Sequence, residues 1–182
     1  MMKFLARRRV PLGFAFAVLV LWLAAPTRLT LGVGAIIAAI GEGLRIWAAG
    51  HLNKSREVTV SGPYRWFAHP LYVGSSIMGF GLAIGSGSLT VAVLVIVYLA
   101  TTIGAAIRSE EAFLRGKFGE RYADYRSGRA SADARDRARP FSLAQAIANR
   151  EYRALSGVVV ALLLLLLKAT YNGTFWRAGA GQ

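Results

Sequence analysis

Cysteine is absent from the 182 residues, which excludes a disulfide framework, a thiol nucleophile and a thiolate-held metal. Histidine occurs only twice, at positions 51 and 69, so a zinc site would need carboxylates to complete its ligands. No ligand-spacing motif is present, and no metal is expected. Charged residues make up only 17% of the chain, little for a soluble domain of this size. No nucleophile elbow accompanies Ser61 or Ser75 near His69, which leaves a Ser-His-Asp hydrolase without its signature. The pairs Gly79-x-Gly81 and Gly85-x-Gly87 follow no strand, so they form no dinucleotide-binding fingerprint. No internal repeat is evident.

What is present is apolar length. Hydrophobic residues are 55% of the chain and the mean hydropathy is +0.45, which indicates a small, all-α, polytopic membrane protein. Five spans are expected: Val10 to Ala25, Leu29 to Ala49, Leu71 to Ile84, Leu89 to Ile107, and Ala154 to Ala169. The basic start from Met1 to Arg9 reads as the flank of a retained first helix rather than of a cleaved signal peptide. The chain divides into two leading spans (1–50), a central core (51–125), a polar linker with an amphipathic segment (126–153) and the fifth span (154–170). In that segment Ser142 and Gln145 have the spacing of a capping box. Gly74, Ser75, Ser76, Gly79, Gly81 and Gly85 make the third span rich in small residues, which permits close helix approach.

The net charge of +13 follows topology. With alternating spans, eighteen of the 22 Lys and Arg residues fall on one side, and Arg28, Lys168 and Arg177 on the other. The rule places the N-terminus, the His69 loop and the region from Arg108 to Arg153 in the cytoplasm, and the C-terminus outside. Anionic lipid accounts for the basic excess, so no nucleic-acid partner is expected and no protein partner is evident.

Ser61 to Gly74 is the most shaped segment. Pro63 and Pro70 fix their own φ and push Gly62 and His69 out of the α region. Topology brings this loop to the same membrane face as the end of the fourth span, where Arg108, Glu111, Leu114, Phe118, Tyr122 and Tyr125 recur at helical spacing. Gly116 and Gly119 predict a break in that helix near Phe118. His69, Tyr72, Arg108, Glu110 and Glu111 are therefore expected to ring a pocket open to water and to lipid. Its carboxylates suit ammonium and ribose hydroxyls, its arginine a carboxylate, and its aromatic rings an adenine face or a sulfonium. Glu42 and Arg45, three apart on the second span, are either a mutual ion pair or the lining of a lipid-facing acceptor tunnel. Tyr122 and Tyr125 read as interface anchors, and His51 as an interfacial residue.

Gly62-Pro63-Tyr64, then His69-Pro70-x-Tyr72-x-Gly74, then Arg108-x-Glu110-Glu111 with Phe118-Gly119-x-x-Tyr122-x-x-Tyr125, resembles the isoprenylcysteine carboxyl methyltransferase family of integral membrane methyltransferases. Arg45-Ile46-Trp47-Ala48 is similar to its bacterial members. The likeness runs from Leu44 to Tyr125. It implies S-adenosylmethionine as methyl donor and a lipophilic or small membrane-accessible acceptor arriving from the bilayer. It implies that His69, Pro70, Tyr72, Gly74, Glu110 and Glu111 form the cofactor site and that Arg108 and Glu111 act at the reacting centre. Tyr64, Glu42 and Arg45 then lie on the acceptor side. Ala68 stands where the family usually has arginine, the Val-Pro after the last tyrosine is missing, and a fifth span is added; these departures leave the acceptor open. Sterol reductases are similar to this family in their C-terminal helices, which keeps a nicotinamide-dependent membrane reductase as an alternative. A membrane scaffold without chemistry is the other.

Overall fold

The computed structural model describes residues 9–53, 58–127 and 139–175. Arg7, Lys54, Arg56, Arg177 and the core of the polar linker, 128–138, lie outside them. Among the described residues the chain is all helical. Helix α1 is Arg9–Leu23, α2 Arg28–His51, α3 Pro70–Gly85, α4 Leu89–Phe118, α5 Glu120–Arg126, α6 Leu143–Ala148 and α7 Tyr152–Tyr171, with a 3-10 turn at Gly62–Arg65. Three of these, α2, α4 and α7, are long and apolar enough to cross a membrane, while α3 is apolar but only 16 residues long. Helix α1 has 15 residues. Of the five spans expected above, three correspond to helices of full membrane-crossing length, and the helices at the first and third positions are shorter than that.

Local chemistry sets the helix ends. Thr27 and Thr30 cap α2 reciprocally, Ser88 accepts from the Val91 N–H at the start of α4, and Pro70 opens α3 where its missing N–H costs nothing. Ser142 accepts from the Gln145 N–H as the spacing predicts, but the Gln145 amide turns away to the Leu52 carbonyl at 2.9 Å, leaving half a capping box and a tie to α2. The break foreseen near Phe118 is present: α4 stops there and Gly119, at φ +50°, starts α5.

Helices α2 and α3 form the closest pair in the bundle, and small residues are the reason. A Cβ placed on Gly41 would lie 2.6 Å from the Gly74 carbonyl oxygen, and one on Gly81 would lie 2.7 Å from the Gly34 carbonyl oxygen. At one end of the bundle the two inter-helix turns are bonded, Ala25 N–H to Ser86 C=O at 2.7 Å. Ala24, Leu31 and Leu165 pack there as a core cluster, and Lys168 donates to the Leu21 and Trp22 carbonyls. The opposite end gathers His51, the loop of residues 58–69, the end of α4, and α5 and α6. Loop and acid pair share that end, as the topology argument requires.

Candidate active site

The loop is braced from behind. The His51 ring is buried, its Nδ1 lies 3.2 Å from Ser61 Oγ, and Gly62, at φ +55°, packs so closely on the ring that a side chain would strike it. His51 is thus a pillar under the loop rather than an interfacial residue. From the front, Tyr125 of α5 donates its hydroxyl to the Tyr64 carbonyl at 2.9 Å and reaches the Phe67 carbonyl at 3.4 Å. Burial pushes that phenol up to about 12.

Held this way, His69 faces two carboxylates. Its Nε2 is 3.3 Å from Glu111 Oε1 and its Nδ1 3.8 Å from Glu110 Oε2. The Tyr72 ring lies 5.8 Å from the imidazole. Glu111 also carries Arg126 at 2.8 Å and Arg115 at 3.8 Å. Two tyrosine hydroxyls border this acid pair, buried and without a hydrogen-bond partner: Tyr64 and Tyr122. Burial, followed by the field of Glu110, raises the first; burial, followed by Glu111, raises the second. Orphaned buried hydroxyls are costly, so both call for an explanation. Beside His69 and Tyr72 an open groove of about 360 Å³ runs between α3 and α4, lined by Trp66, Phe67, Ala68, Val73, Ser76, Ile103 and Ile107. Its volume is in the range of roughly 300–1,000 Å³ used for small ligands.

The structure brings His69, Tyr72, Glu110 and Glu111 together as expected, with Tyr64 beside them. Pro70 is buried as the first residue of α3, and Gly74 faces α2 rather than an opening: its role is to admit Arg45 and the Gly41 carbonyl. Arg108 is not in the ring. It is exposed and makes no ion pair or hydrogen bond among the described residues. The inward stripe of α4 is Ile107, Glu110, Glu111, Leu114 and Phe118, and Arg108 sits about 100° round the helix from Ile107. The nearest cation at Glu111 is instead Arg126, the first residue of the expected linker. Only the break at Gly119, which folds α5 back, signals it. Tyr122 is 2% exposed and so is no interface anchor.

Glu42 and Arg45 lie deeper. They are 3.7 Å apart, but the Arg45 Nε is 2.7 Å from Glu151, and Nη1 reaches Ser75 Oγ and the Leu71 carbonyl. Both Glu42 oxygens are buried with no hydrogen-bond donor. Glu151, 106 positions from Arg45, could not be paired with it from spacing. No group of three or more His, Asp or Glu able to hold a metal occurs among the described residues.

The family described as Phospholipid methyltransferase matches residues 10–121. The cobalt-zinc-cadmium resistance protein CzcN of Cupriavidus metallidurans is 36% identical over 103 residues, covering 55% of this chain and 46% of that protein. The nickel-cobalt-cadmium resistance protein NccN of Alcaligenes xylosoxydans xylosoxydans is 36% identical over 107 residues, covering 57% and 48%. The chain thus spans about half the length of the curated relatives it matches. No solved structure matches it. The matched segment contains both the His69 loop and the Glu110-Glu111 pair, and the chain belongs to the phospholipid methyltransferase family, membrane methyltransferases of the isoprenylcysteine carboxyl methyltransferase type.

Proposed function

We propose that the chain binds S-adenosylmethionine where the His69 loop meets Glu110 and Glu111, and transfers its methyl group to a lipophilic or small membrane-accessible acceptor. The observation that carries this reading is His69 set between two carboxylates at the mouth of an apolar groove. The donor set fits the cofactor. Glu110, whose side chain is 41% exposed, suits an ammonium group, and the orphaned Tyr64 and Tyr122 hydroxyls suit polar groups of the nucleoside or amino-acid part. Trp66 and Phe67 suit an adenine face or a sulfonium.

When bound, the cofactor supplies an electrophilic methyl group that an acceptor lone pair displaces in line, with the S–C bond pair leaving on sulfur. The protein's part is alignment, which supplies much of the rate in such a displacement. His69 and Glu111 hold each other, and Arg126 and Arg115 hold Glu111, so the pocket wall is fixed before a ligand arrives. The groove between α3 and α4 admits the acceptor beside His69, and its lining of Val73, Ile103 and Ile107 excludes water from one side. We place this site on the cytoplasmic face, from the distribution of Lys and Arg, and in a bacterial inner membrane, from the bacterial relatives.

The test is calorimetric titration of the detergent-purified chain with S-adenosylhomocysteine, beside a nicotinamide dinucleotide and with the Glu111→Ala and His69→Ala variants. Binding of S-adenosylhomocysteine that is lost in both variants supports the reading. A folded protein that binds only the dinucleotide is a reductase, and one that binds neither is a scaffold. Transfer of labelled methyl groups into fractionated membrane lipids then identifies the acceptor.

A further inference from the structure

Arg45 holds the helix that carries the proposed donor pocket. Its Nη1 donates to the carbonyl of Leu71 at 3.4 Å and to Ser75 Oγ, and Ser75 itself donates to the Leu71 carbonyl at 2.8 Å. Leu71 is in the first turn of α3. In that turn the N–H groups of Tyr72 and Val73 bond to the His69 carbonyl at 3.0 and 3.2 Å. The guanidinium, the Leu71 carbonyl and the backbone of His69 are therefore consecutive links.

What aims the guanidinium at Leu71 is Glu151. Its Oε1 takes the Nε at 2.7 Å, and the residue is 6% exposed. Glu151 reaches this position through Arg150, the only non-glycine residue with positive φ among the described residues, at φ 62°. A residue held in that region marks a turn that its surroundings over-determine. A second carboxylate competes for the same cation: Glu42, 3.7 Å away and without a hydrogen-bond donor of its own. Two buried acids share one guanidinium, and its direction depends on which acid takes it.

We propose that Glu151 is a positioning residue for the His69 loop, acting through Arg45. The proposal rests on the donor-binding reading for its purpose, but its geometry does not. Removing the Glu151 charge leaves Glu42 as the nearest acid; Arg45 turns to it, and the first turn of α3 loses two of its ties. Docking of the C-terminal segment does not depend on this pair alone. Asn149 Nδ2 donates to the Ala49 and Leu52 carbonyls at 2.8 Å each, and Phe141 packs on Gly50. Glu151, the N-cap of α7, lies beyond the family match at residues 10–121.

The test uses the full chain in detergent and reads the rate at which diethylpyrocarbonate modifies His69, resolved from His51 by mass spectrometry. Glu151→Gln is expected to raise the His69 rate by about threefold, a modest coupling between touching elements. Arg45→Lys, which keeps the charge but cannot reach Glu151, Leu71 and Ser75 together, is expected to do the same and serves if the first variant does not fold. Asn149→Ala, which loosens the C-terminal segment without touching Arg45, is expected to lower thermal stability and leave the His69 rate unchanged. An unmoved His69 rate in Glu151→Gln and Arg45→Lys overturns the proposal, as does an equal rise in Asn149→Ala. Titration with S-adenosylhomocysteine separates the two readings. If the unaltered chain fails to bind it, the donor-binding reading falls while the labelling still decides whether Glu151 positions the His69 loop. If it binds, Glu151→Gln is expected to weaken the affinity more than Asn149→Ala does.

Discussion

Arg126 in the last turn of α5 sets its Nη2 2.8 Å from Oε1 of Glu111 on α4, folding the short helix back over the acid pair. The side chain of Arg126 is 46% exposed and that of Glu111 17%, so solvent screens one partner more than the other. Truncation to Arg126→Ala is expected to weaken S-adenosylhomocysteine binding by a small factor, about two- to fivefold, in keeping with a partly exposed pair. The loss should shrink at high salt, which isothermal titration at two ionic strengths will show.

The hinge that permits this fold-back is Gly119, at φ +50° and ψ −127° with open space around it. Gly119→Ala therefore meets no steric obstacle except its own backbone, a cost of about 1–3 kcal/mol. Thermal unfolding should report the loss. Donor-product affinity should fall with it, because Arg126, Tyr122 and Tyr125 all hang from α5.

Tyr125 gives a pH prediction. Its phenol is raised from 10.0 to about 12 in the folded chain by burial. A proton held more tightly in the folded state contributes stability that is complete below pH 10 and is lost as pH rises from about 10 to 12. Alkaline titration followed by circular dichroism should show that decline. Tyr125→Phe should flatten it, while losing about 1 kcal/mol at neutral pH with the hydrogen bond to Tyr64.

The α2–α3 seam is testable by adding single methyl groups. Gly41→Ala places a carbon against the Gly74 carbonyl oxygen and Met78 backbone, and is expected to cost about 1–3 kcal/mol. Gly104→Ala, with nothing within 4 Å, should be neutral or stabilising by up to about 1 kcal/mol. Thermal melts of the two variants in the same detergent make the comparison.

Which parts of this were legible in the sequence follows from the range of each interaction. Apolar length announced the helices, and Pro70 and Gly119 announced their ends, because those signals are local. The meeting of His69 with Glu110 and Glu111 was legible through a hairpin whose two ends must lie side by side. Arg126 was not, since its reach depends on the angle at which α5 leaves Gly119. Glu151 was not, since a pair 106 positions apart leaves no trace in spacing. Arg108 misled because a step of three from Glu111 looks like one face, whereas the packed stripe is centred on Ile107, Glu111 and Leu114.

Helix α4 runs unbroken for 30 residues, about 45 Å at 1.5 Å per residue, against a hydrocarbon layer of about 30 Å. Its apolar residues and its acid pair are thus parts of one rigid rod. Tilting the rod to suit a thicker or thinner bilayer swings Glu110 and Glu111 relative to a loop anchored on other helices. The distance from His69 to Glu111 then becomes a gauge of the membrane around it, and turnover in vesicles of graded acyl length should pass through an optimum.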